Sequence, residues 1–271
     1  MAGVVFVETL RRGWLTMLLW GLGIALLGAA QIAVINDVDV LEQMAELLES
    51  MPPFVLQLLG TDDVTYLATP AGFLAARYFS LIPLVFAAYA VASGMRVTAN
   101  EEDRGISDIV LSTPLPRWRL LLEKVIAYAL MLLIIVLMSF IGLWLTLQTV
   151  PGLPEAINSA RLFEVTIALL PGALVVLAFT VLAGAIARSR GTALAIAAVF
   201  VIASFFIDFI GSAASESIAA TVARVSYFSY YNAPDIMRNG ILWGNVLLLI
   251  AVTLALVIAS LAVYQRRDIG T

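Results

Sequence analysis

Apolar residues in this chain do not alternate with polar ones. They gather into six long runs, at about 14–35, 73–95, 119–147, 163–187, 191–211 and 242–264. Each run is long enough for a helix across a hydrocarbon core of about 30 Å at about 1.5 Å per residue. Barrel strands would leave short segments of alternating polarity instead. The pattern predicts an all-α polytopic membrane protein with six transmembrane helices in one domain over 1–271. Pro83 and Pro171 fall inside the second and fourth runs, where each can kink its helix. The stretch 2–12, AGVVFVETLRR, is too short to cross and reads as an interfacial helix along the membrane surface. The first run follows Arg11 and Arg12 as a signal peptide would, but it is too long for a signal h-region and reads as a retained span.

Two connecting segments carry patterns of their own. Between 36 and 70, Leu41, Met44, Leu47 and Leu48 fall on one helical face and Glu42, Glu46 and Glu49 on others, until Pro52 and Pro53 break the helix. This predicts an amphipathic helix, lying in the interface or packed as a lid on the spans. The segment 212–240 is long for a loop and is expected to have structure. Its rings Tyr227, Phe228, Tyr230 and Tyr231 suit the headgroup level, and an exit vestibule is the other reading.

Composition sharpens the class. The chain is 62% hydrophobic and 13% charged, with a mean hydropathy of +1.02. A soluble domain needs roughly a quarter charged residues. Lys and Arg set the orientation. With the N-terminus inside, all of the 15 Lys and Arg residues lie on the cytoplasmic side except Arg77, Arg161, Arg224 and Arg238. Both termini are therefore expected in the cytoplasm of a cell whose plasma (inner) membrane holds the chain. Among the short connections, 98–118 and the turn 188–192, RSRGT, then face the cytosol.

The same composition removes most chemistry. Histidine and cysteine are both absent, which excludes HExxH zinc sites, thiolate metal sites and Ser-His-Asp triads. The acidic run EEDR at 101–104 resembles paired-glutamate intramembrane proteases, but those also need histidine. Lys124 is the lone lysine and follows RLLLE, so no Walker A loop exists. A charge at the bilayer centre costs about 2.5–3.5 kcal/mol and marks ion or proton paths. Here Asp208 is the one carboxylate inside a span, near its end, and Arg77, Arg161 and Glu164 lie where they can reach water. The small residues Gly21, Gly23, Ala25 and Gly28 permit close helix approach, within the chain or between chains. The sequence carries neither a catalytic set nor an ATP site, and nothing in it calls for a nucleic-acid partner.

What stands out against this oil is the stretch 99–124, ANEEDRGISDIVLSTPLPRWRLLLEK. Acidic residues open it, Gly105 allows a bend, and Ser107 can cap a short helix DIVLS. Pro114 and Pro116 stop that helix. Ile109, Val110 and Leu111 are apolar on a cytosolic segment and call for a partner, a membrane surface or another protein. The alternative is a solvated loop. These residues resemble the cytosolic loop of ABC-2 type permeases, the membrane subunits of ATP-binding-cassette exporters. The matching positions are Glu101, Glu102, Arg104, Gly105, Leu111, Pro114, Arg117 and Lys124. The tail YQRRDIG and the segment YFSYYNAPDI are similar to the same family.

The resemblance implies a type V exporter-like transmembrane domain without enzymatic activity of its own. The 98–118 loop, with Ile109 at its apolar centre, would be a coupling helix seated on a separate ABC ATPase, which binds the ATP and Mg; this chain binds no cofactor. Arg188 and Arg190 would form a second cytosolic contact. Two permease chains, identical or different, would pair in the lipid bilayer around the substrate path. For that path the span aromatics Tyr89, Phe205 and Phe206 are candidates, with core packing the competing reading. Since no charged cavity is visible, the expected substrate is hydrophobic or amphipathic. A stand-alone channel or ion-coupled transporter, which would act without ATP, is the alternative.

Overall fold

The computed structural model describes residues 3–35, 66, 69–98, 116–187, 189–213 and 222–266. The amphipathic pattern at 41–49 lies outside them. Six helical stretches long and apolar enough to cross a membrane coincide with the six runs. They are built from α1 (Val4–Ile35), α2 (Pro70–Leu74) with α3 (Ile82–Val97), α4 (Arg117–Thr149), α6 (Ser159–Ile167) with α7 (Leu169–Ile186), α8 (Arg190–Ala213) and α10 (Trp243–Arg266). Two short helices, α5 (Leu153–Ala156) and α9 (Ala233–Asn239), lie in the connections.

The expectation for 2–12 changes. There is no separate surface helix at 2–12: α1 runs unbroken from Val4 to Ile35. Gly13, which falls between the stretch 2–12 and the first run, lies inside this helix and is buried against Met131 of α4, where its missing side chain admits the methionine. The first turns of α1 are therefore continuous with the helix of the span.

The α1–α4 pair is a close-packed seam. The two helices run parallel, and small residues of α1 receive side chains of α4 in register. Gly21 faces Met138, Gly28 faces Leu143, and Ala25 lies against Gly142. The alternatives left open for these small residues thus resolve toward packing within the chain, except at Gly23, which has nothing within 4 Å of where a Cβ would sit. A second seam joins α3 to α7, where Gly94 admits Thr180. Helix α7 is apolar on every side, as a helix surrounded by protein must be. It packs against α3, α8, α10 and α4 and forms the centre of the bundle.

Both prolines mark breaks. The second span is a Thr69-capped helix α2, a single π-helical turn at Ala75–Phe79, and then α3 with Pro83 in its first turn. Proline lacks an N–H, and N–H groups in the first turn of a helix have no partner within it, so the loss there is harmless. Pro171 likewise sits in the first turn of α7, just past the junction with α6 at Ala168. The π-turn aims the buried Tyr78 hydroxyl at the Ile24 carbonyl of α1 (3.3 Å) and Ser139 Oγ of α4 (3.1 Å), which ties the second span to the first seam.

The segment 222–240 folds back onto the bundle, so its rings do not form a headgroup belt. Tyr227 and Phe228 are buried. Tyr227 stacks on Phe200 of α8, Phe228 meets Phe205 edge-on, and the Tyr231 hydroxyl donates to the Val165 carbonyl of α6 (3.2 Å). Ser226 Oγ donates to the Ser204 carbonyl (2.7 Å) and Ser229 Oγ donates to Asp208 (2.7 Å). Ring packing on Phe200 and Phe205 and the hydroxyl contacts of Ser226, Ser229 and Tyr231 hold this segment on the spans. Helix α9 ends at Gly240, whose φ of +95° and close contact with the Arg161–Glu164 ion pair both require glycine.

Candidate coupling surface

The starts of α1, α4 and α8 and the ends of α3 and α7 meet on one side of the bundle. This is the side from which 99–115 leaves. Its entry is the last turn of α3, with Val97 and Thr98 buried. Its exit is Pro116, which leads into α4, where Leu120, Leu121 and Lys124 are buried, Lys124 to 7% exposure. Both roots of the loop are thus held in the protein body. In this setting Arg119 Nε donates to Glu123 Oε1 (3.1 Å) one turn along α4. Glu123 also accepts from the backbone of α1, through Gly3 N (3.1 Å) and Phe6 N (3.3 Å). Arg96 Nη1 of α3 reaches Thr16 Oγ1 of α1 at 3.5 Å.

The second connection on this side is the turn between α7 and α8. Met95 of α3, Ala187 and Ala193 form a small apolar cluster. Ser189 begins α8 by accepting from Thr192 N (3.2 Å). The two connections therefore emerge side by side, with Met95 between them.

Of the residues singled out in the sequence, Glu101, Glu102, Arg104, Gly105, Ile109, Leu111, Pro114 and Arg188 lie outside the described residues. Arg117 is the first residue of α4, Lys124 is buried two turns later, and Arg190 is exposed at the start of α8. Tyr89 is 2% exposed, packed edge-on against Trp20 with its hydroxyl 3.6 Å from Met131 Sδ. It is part of the core. Phe205 and Phe206 are brought together on α8 at 5.9 Å between centroids, with Phe206 55% exposed on the outer face. Beside them, α7 and α8 enclose an open groove of about 500 Å³ lined by Phe179, Ala195, Val199, Phe200, Ala203 and Val225 among others.

The sequence reading missed Glu123, Gly3 and Met95. For Glu123 a weak signal existed, its i,i+4 spacing from Arg119. For the others the signal is tertiary.

The whole bundle agrees with one family. Residues 8–269 match the family model described as ABC-2 family transporter protein. The chain belongs to the ABC-2 transporter family. No curated protein matches its sequence well enough to stand as a relative. As an ABC-2 family protein it is a membrane component of a transporter, and its six apolar helices make it multi-pass.

Proposed function

We propose that this ABC-2 family protein is the permease subunit of an exporter driven by a separate ABC ATPase. The observation that carries the reading is the construction of the loop roots. Thr98, Leu120, Leu121 and Lys124 are buried on the side where Ala187 and Arg190 also emerge. A segment anchored at both ends in helices of different spans can pass a displacement to both. The apolar residues Ile109 and Leu111 are its contact with the ATPase, flanked by Glu101, Glu102, Arg104, Gly105, Pro114 and Arg117, and Arg190 with Arg188 forms the second contact. ATP and Mg belong to the ATPase. Two permease chains pair, both termini of each face the cytoplasm, and the assembly sits in the plasma membrane. The apolar groove between α7 and α8, beside Phe206, supports a hydrophobic or amphipathic cargo.

A tagged chain purified from native membranes in mild detergent is expected to bring down a Walker-A ATPase in stoichiometric amount. Ile109→Asp or Leu111→Asp should abolish substrate-stimulated ATP hydrolysis. A chain that purifies alone and moves substrate without ATP would replace this reading with a stand-alone carrier.

A further inference from the structure

We infer that Glu123 is a positioning residue that makes the N-terminus of α1 move with the root of the 98–116 loop. The inference rests on the permease reading above and adds the part of the body that the loop drives.

A helix begins with four N–H groups that have no partner within it. A Ser, Thr, Asp or Asn at the N-cap usually takes one of them. Here the position before Val4 is Gly3, which has no side chain to offer and adopts φ +86°. Glu123 supplies what is missing from another helix. One carboxylate oxygen accepts from Gly3 N and the other from Phe6 N. In a capping box two side chains divide these tasks, one for the N-cap amide and one for the third helical amide. A single carboxylate from α4 performs both. It also places negative charge at the positive end of the α1 dipole. Its side chain is 15% exposed, so water screens the contact little.

The position of this cap gives it a mechanical role. Glu123 stands two turns after Pro116, at the exit of the loop. Val4, Val7, Arg11 and Arg12 on the first turns of α1 are exposed, and the glycine-based seam to α4 starts only at Gly13. Ahead of the seam, Glu123 ties α4 to these turns through Gly3 N and Phe6 N. With the cap made, α1 and α4 are joined from their first turn to Gly28 and move as one body. Without it, α4 can shift at its start while the first three turns of α1 lag behind.

The test uses the complete complex with its ATPase in lipid nanodiscs. Glu123→Ala is expected to retain basal ATP hydrolysis while transport per ATP falls about tenfold, the scale of losing one charge-assisted cap. Glu123→Gln keeps one acceptor oxygen and should fall between. Because the chain has no cysteine of its own, Phe6→Cys with Glu123→Cys can be bridged by a short, reducible thiol cross-linker with no other thiol in the permease to compete. The bridged protein should transport with wild-type coupling and lose it on reduction. This pair also serves if Glu123→Ala does not fold. Coupling that survives reduction, or hydrolysis and transport that fall in parallel in Glu123→Ala with no rescue by the bridge, overturns the inference. A wild-type chain without an ATPase partner would instead bring down the permease reading, and the coupling role with it. The cap itself is read separately by hydrogen exchange. The Gly3 and Phe6 amides should exchange faster in Glu123→Ala, and unchanged exchange refutes the cap.

Discussion

Gly142→Ala offers the sharpest check on the α1–α4 seam. A Cβ at Gly142 would lie 2.5 Å from Ala25 Cβ and 3.1 Å from Ala25 Cα. Non-bonded carbons prefer about 3.5–4.0 Å, so the helices would have to part locally by about 1 Å. Ala25 has no flexible end to swing away. Overpacking of this kind costs about 1–3 kcal/mol, while alanine in a helix interior gains about 1 kcal/mol over glycine. Gly23→Ala isolates that gain, since nothing stands within 4 Å of its new methyl group. The gap between the two variants therefore reports the clash alone. At about 2–4 °C per kcal/mol for a chain near this size, thermal unfolding in detergent should separate them by roughly 2–12 °C. The swap Ala25→Gly with Gly142→Ala moves the methyl group across the seam and should return the protein close to wild type, a non-additivity that neighbouring residues must show. If Gly142→Ala were as stable as Gly23→Ala, or the swap no better than Gly142→Ala alone, the described approach of these helices would be wrong.

Further outcomes follow from the connecting segments. Gly240→Ala forces a left-handed residue to carry a Cβ into the Arg161 guanidinium and should cost about 1–3 kcal/mol, seen as a lower midpoint of thermal unfolding. Gly152→Ala, equally left-handed but with open space, should cost less. The Tyr227 hydroxyl is buried without a hydrogen-bond partner among the described residues, so Tyr227→Phe should leave stability unchanged or raise it. Burial also pushes the Tyr227 and Tyr231 hydroxyls well above their usual range. An acid whose folded pKa is raised contributes stability that is whole below its unfolded pKa, near 10 for tyrosine, and is lost as pH climbs beyond it. Unfolding scans between about pH 9 and 11 should therefore show a steeper alkaline decline in wild type than in Tyr227→Phe.

The spans could be read from the sequence because bilayer thickness imposes one length on each apolar run. The two helix breaks were half legible. Pro83 and Pro171 announced a disturbance, but its place, just before each proline, depends on where the missing N–H is harmless. The 222–231 rings were misplaced because amphipathic aromatics look the same whether they face headgroups or pack against the spans. Only the carbonyls of Ser204 and Val165 decide that, and those are contacts across the fold. The same holds for the surface helix expected at 2–12. Arg11 and Arg12 signalled a boundary, yet the buried Gly13 lets the helix continue through it. Of the coupling surface, the loop motif was visible as residue types in order. Its roots were not, because Glu123 meets Gly3 and Phe6 only once α1 and α4 lie side by side.

The long α1–α4 pair has a consequence for the membrane around it. At about 1.5 Å per residue, the 33 residues of α4 reach about 50 Å, against a hydrocarbon layer of about 30 Å. The excess cannot be absorbed by bending one helix alone, because the glycine contacts bind both. Glu8, Arg11 and Arg12 near the start of α1 pair with one another and need water, so the surplus length emerges at that end. The pair then extends past the hydrocarbon edge by up to about 20 Å, part of it within the headgroup layer, less whatever tilt the lipid imposes. A thicker bilayer would draw it inward and shorten the distance by which the loop roots protrude, so membrane thickness itself would set how far a soluble partner must reach.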